Sequence, residues 1–212
     1  HSDAGVTLCG KNHYGSLISG PAQSGYYDLH ENLPSNRGGM GYYRPIVDLM
    51  GHEHIGSKTL LHLIDGLYAG HHPYDDAPTK LNSAPFNVDW SSSLFVSQDS
   101  VAIDSVAFDF LWAEPGWEVD THISGGDDYL HEAAQANNPA SGTFYDPNHS
   151  GDVTRLESLG VHEHWNNPED KKYSRNLGTG AGIKLIALQD ESKMPESLKN
   201  KGACFIATAA YK

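Results

Sequence analysis

The stretch SSLFVSQDSVAIDSVAFDFLW, Ser92 to Trp112, passes from a short apolar run into a helical pattern with no loop between them. Its first part, Ser92 to Asp99, reads as a buried strand bounded by small polar residues. Asp99 or Ser97 can cap the helix that follows, because an oxygen there accepts the otherwise unpaired N–H groups of the first turn. Apolar residues at 102, 103, 106, 107, 110 and 111 then recur at helical spacing. A strand that feeds a helix directly is the building unit of an α/β sheet.

Working outward, TLLHLIDG (Thr59 to Gly66) is a nearly continuous apolar run ended by Asp-Gly, the pattern of a strand covered on both faces of a parallel sheet. In RPIVDLM, Pro45 stands where a helix begins and predicts a short helix from about Arg44 to Met50. GVTLCG, ending at Gly10, and GIKLIAL, ending at Leu188, read as further strands. The expected fold is α/β, a mostly parallel sheet with flanking helices, in a single domain over residues 1–188. From 115 to 182 the chain is rich in Gly, Asn, Asp and His, with one helical stretch at DDYLHEAAQA, and is expected to form a long irregular insertion over the sheet. Residues 189–212 read as a linker followed by an apolar segment, CFIATAAY.

The chain has 212 residues, 27 acidic against 14 basic, and a formal charge of −13. Such a balance disfavours a nucleic-acid partner, which needs Lys and Arg to neutralise phosphates. No apolar run approaches the ~20 residues that span a bilayer. Cys9 and Cys204 lack CxxC spacing, so a zinc–thiolate site is not indicated, and whether the two pair is left open. A surface polar through amides and hydroxyls more than through charges suits an exported protein, placed extracellularly, at the cell surface or in the periplasm.

Three groups of residues carry metal-ligand chemistry. Asp65, at the carboxyl end of its strand, precedes the loop YAGHHPYDD with His71 and His72, and Asp104 interrupts the apolar helix, as does Asp109. Imidazole and carboxylate together suit a transition metal such as Zn2+, and equally a general base with its partner; a solvated polar loop and a helix-internal hydrogen bond are the plain alternatives. In LGVHEHWNN, His162 and His164 stand two apart and in extended chain project to one face, with His131 or Glu163 as further ligands. Asp146, Asn148, Ser150, Asp152 and Glu157 fall in DPNHSGDVTRLE at positions 1, 3, 5, 7 and 12 of an EF-hand-like Ca2+ loop, with Gly151 at the turn. The flanking sequence supplies no amphipathic helix before that loop, and an Asn/Gly turn without an ion is the alternative.

KNHYG, LLHLIDGLYAG and SQDSVAIDSVAFDFL, in this order, resemble the bacterial and archaeal family called domain of unknown function 362. The resemblance covers roughly Val6 to Leu111 and resumes at the last strand. It implies an α/β domain without a settled activity, and matches at Lys11, Asn12, Gly15, Asp65, Gly66, Asp99 and Asp104. The chain departs from the pattern at Ser100, where many relatives have proline, and at GHHPYDD. CFIATAAY is similar to a motif near the carboxyl ends of exported bacterial proteins. Together these features lead to the expectation of a portion of a longer exported protein that binds metal. The rival expectations are a surface-layer or filament subunit, self-associating through its apolar tail, and a metal-dependent hydrolase or redox enzyme.

Overall fold

A computed structural model describes residues 8–16, 39–70, 75–119, 123, 125–148, 151, 155–188 and 205–210. Helix α2, Ser100–Trp112, forms the centre of the packing, with every residue from Val101 to Phe110 buried. Its start is fixed as the sequence implies: Asp99 accepts hydrogen bonds from Val101 N at 2.9 Å and Ala102 N at 2.8 Å. Strand β2, Ser93–Ser97, leads directly into it. On β2 the buried residues Ser93, Phe95 and Ser97 alternate with partly exposed Leu94 and Val96, the period of a strand packed on one face.

The sheet order is β1-β2-β4-β3, with β1 at His62–Gly66, β3 at Ile183–Leu188 and β4 at Phe205–Ala210. β1 pairs antiparallel with β2, β2 parallel with β4, and β3 antiparallel with β4. The expectation of a mostly parallel α/β sheet is therefore overturned. Parallel neighbours need a long crossover, usually a helix. The connection from β1 to β2 carries no helix among its described residues, only the isolated bridges Ala69–Thr79 and Leu81–Asp89, and returns the chain antiparallel. The continuous apolar run at 59–66 also misleads, because β1 is an edge strand whose Leu63 is half exposed, with Leu60 and Leu61 open beside it. The terminal apolar segment enters the chain's own sheet as β4, between β2 and β3.

The 3-10 helix Cys9–Ser16 and helix α3 (Asp128–Ala134) pack on α2, helix α1 (Pro45–Gly51) packs on both of them, and the single turn α4 (Ser174–Leu177) precedes β3. Cys9, read as the end of a strand, instead begins the 3-10 helix. Asp104, fully buried on α2, accepts from Cys9 N at 2.8 Å, Gly10 N at 3.0 Å and the Tyr129 hydroxyl at 2.8 Å. This one carboxylate ties the amino-terminal 3-10 helix and α3 to the central helix.

Burial pushes the Asp104 carboxyl up from an ordinary value of 3.8 to about 6, against the hydrogen bonds that favour its charge. The folded chain thus holds this proton more tightly than the unfolded chain. The resulting stabilisation is complete below pH ~4 and is lost as pH rises through about 6, a change of about 3 kcal/mol at 1.36 kcal/mol per unit. In D104N the position no longer titrates. The stability advantage of the parent over D104N, measured by urea unfolding, is expected to shrink by about 3 kcal/mol between pH 3 and 7.

Candidate metal centre

Helix α3 places two pairs of residues one turn apart on different faces. Asp128 and Glu132 face inward. Asp128 pairs with the fully buried Arg44 at 3.2 Å and accepts from Gly39 N, while Glu132 accepts from Ser141 and from the Tyr145 hydroxyl at 2.9 Å. Tyr145 in turn accepts from Arg44 N. With that face fixed, the neighbouring pair Asp127 and His131 stands beside the segment carrying His162 and His164, and His131 Nε2 lies 3.2 Å from Asp127 Oδ2.

That segment runs alongside α2 and is fastened to it at intervals. Leu159 N bonds to Ala133 O on α3, and Val161 N to Asp99 Oδ2 at 3.0 Å. His162 Nδ1 meets Ser105 Oγ at 2.8 Å. His164 Nδ1 meets Asp109 Oδ1 at 2.6 Å, and Trp165 N and the Tyr173 hydroxyl bond to Asp109 Oδ2. The lengths agree: ten helical residues rise roughly 15 Å, and four extended residues span roughly 13 Å. Gly160 is required at the entry, since a Cβ there would collide with the Asp99 carboxylate.

These fastenings set the imidazole tautomers. The Ser105 hydroxyl proton goes to Val101 O at 2.7 Å, so Ser105 Oγ accepts from His162 Nδ1–H and leaves Nε2 as the unprotonated nitrogen. The Asp109 carboxylate likewise accepts from His164 Nδ1–H. Both Nε2 atoms then point to a common centre with His131 and Asp127. His162 Nε2 lies 3.3 Å from His131 Nε2 and 3.9 Å from Asp127 Oδ2, and His164 Nε2 lies 3.3 Å from the same oxygen. One ligand atom from each of Asp127, His131, His162 and His164 lies within 4.8 Å of the others, so the group can hold a metal ion.

The electrostatics suit a cation. Burial lowers the His162 imidazole to about 3, and the neighbouring histidines push the same way, so it stands neutral and ready to ligate. Hydrogen bonds to Asp109 and Asp127 raise His164 to about 10, so an incoming ion must displace its proton. Burial pushes the Asp127 carboxyl up, but the hydrogen bonds from His131 and His164 outweigh it and hold the group well below the usual carboxylate range.

Of the residues singled out from sequence, His162 and His164 meet here, joined by His131. Glu163 faces away and accepts from Ser174 Oγ at 3.1 Å and from Ile183 N. Asp104 is the anchor described above. Asp65 accepts from Leu67 N at 3.0 Å in a local turn and lines a cavity of about 400 Å³ with Cys9 and Phe95. His71 and His72 lie outside the described residues, as do Ser150, Asp152 and Cys204. Asn148 accepts from Glu53 N at 3.0 Å; Asp146 is partly buried and Glu157 exposed. Asp127 escaped sequence reading, although Asp127 and His131 are four apart in a stretch recognised as helical, a spacing that puts both on one face.

No protein-family model, curated protein or solved structure matches the chain. The resemblance stated above therefore rests on its quoted motifs alone. Among the described residues no helix is long and apolar enough to cross a membrane.

Partners that orient ligand histidines typically contribute ten- to a hundredfold to metal affinity. D109N and S105A are each expected to weaken metal binding by about that range, D109N more because it removes a charged partner. Competition with a chromophoric chelator measures the change; affinities equal to the parent's in both variants would show that the ligands are positioned without α2.

Proposed function

We propose that this chain is an exported metal-binding protein whose centre is a mononuclear transition-metal site, with Zn2+ as the preferred ion, held by Asp127, His131, His162 and His164. The observation that carries this reading is the spacing of the ligand atoms. Zn–N and Zn–O bonds of about 2.0–2.1 Å in a tetrahedron put neighbouring ligands about 3.3 Å apart. Of the six separations among the four ligand atoms, three are 3.2, 3.3 and 3.3 Å, that between His162 and Asp127 is 3.9 Å, and all lie within 4.8 Å.

Three imidazoles and one carboxylate suit Zn2+ and its transition-metal neighbours, while Ca2+ and Mg2+ take oxygen ligands almost exclusively. The orienting bonds from Ser105 and Asp109 support the same reading, since metal-bound histidines nearly always bond an outer partner through the second nitrogen. The site is not sealed. His164 is 45% exposed, and with Asp127 it lines a surface cleft of roughly 390 Å³. That openness lets an external group approach the ion as a fifth ligand. Export is supported by the composition and by the likeness of CFIATAAY to the tail motif.

Purified chain, stripped with EDTA and titrated calorimetrically, is expected to take up one Zn2+, and H162A to lose that uptake. At a free metal level a hundredfold above Kd the stabilisation is about 2.7 kcal/mol, which in a chain of this size raises Tm by roughly 5 to 10 °C. Absence of stoichiometric uptake, together with an unchanged Tm, would overturn the assignment.

A further inference from the structure

The cleft beside the proposed metal centre carries an exposed aromatic ring at its edge. Trp112, at the end of α2 and 41% exposed, stacks on Phe108 with centroids 5.8 Å apart and planes 27° from parallel. Phe108 is buried and touches the His164 ring, at 6.1 Å between centroids. An aromatic run thus leads from the solvent to a ligand of the proposed ion. Trp165 and Asn167 line the same cleft. Its volume, roughly 390 Å³, is that of a small-molecule site.

The charges restrict what can enter. A divalent ion at the centre balances Asp127 and Asp109, and among the described residues no Lys or Arg lines the cleft; Lys171 lies over the Trp165 ring. A phosphate ester would bring two negative charges to a centre that is already neutral. A carbonyl, hydroxyl or hydroxamate oxygen brings none or one.

We propose that the cleft binds a small aromatic compound, neutral or singly negative, whose oxygen joins the four protein groups as a fifth ligand of the metal while its ring stacks on Trp112. This rests on the metal-binding reading above. The probes are acetohydroxamate and benzohydroxamate, which share a metal-ligating group and a charge and differ by the ring. They are titrated into the Co2+-loaded full chain and followed by the visible spectrum of the ion. Benzohydroxamate is expected to bind about three- to tenfold more tightly, the range of an aromatic pairing. W112L is expected to remove that preference and W112F to keep it, with the Co2+ spectrum reporting that each variant still folds and loads. Phenyl phosphate is expected not to perturb the spectrum.

Equal affinities for the two hydroxamates in a chain that has taken up Co2+, or a preference that survives W112L, would overturn the ring site alone. Tight binding of phenyl phosphate would overturn the charge restriction and so the proposed class of ligand. A chain that takes up no Co2+ would overturn the metal reading and this inference with it.

Discussion

Asp109 lies inside an apolar helix and takes hydrogen bonds from a histidine ring, a tryptophan backbone N–H and a tyrosine hydroxyl. A carboxylate so placed is tolerable only when its lone pairs are filled, and removing any of those partners leaves a buried charge short of its compensation. The path of residues 161–165 follows from this need. Asp99 and Ser105 make the same demand further up the helix, and one extended segment answers all three. The placement of His162 and His164 is therefore a by-product, in a structural sense, of how α2 satisfies its own polar side chains.

The opposite half of the centre has a different foundation. Asp127 and His131 are held by what happens on the other side of α3, where Arg44, Asp128, Glu132 and Tyr145 form a buried polar network. Such networks are costly when incomplete and rigid when complete. Neither half of the site is built from a loop that must find its own conformation. The two halves meet because Leu159 bonds α3 just before the chain turns onto α2.

Local pattern carried the reading of the sequence only as far as local forces govern the fold. The passage from β2 to α2, the Asp99 cap, the proline at the start of α1 and the shared face of His162 and His164 are short-range matters and were legible. Strand direction was not. An apolar run records burial and says little about its partner, so β1 read as an inner parallel strand while it lies at an antiparallel edge. Asp104 and Asp109 looked alike from sequence, two acids in an apolar helix. Only the fold separates them: both take hydrogen bonds from backbone N–H and a tyrosine hydroxyl, but Asp109 alone also takes one from a histidine ring. Asp127 was missed because its ligand character depends on residues thirty and more positions away, across a stretch with no periodic signal.

That separation in sequence has its own consequence. His131 and His162 lie on either side of a thirty-residue excursion that holds Tyr145 and the 155–159 approach to α2. An ion bound to both would close this excursion as a covalent cross-link does, reducing the freedom of the unfolded chain by an amount that grows only slowly with loop length. The pair on the extended segment is oriented by α2 and the pair on α3 by its buried network, so an ion would join two supports that are each already held in place.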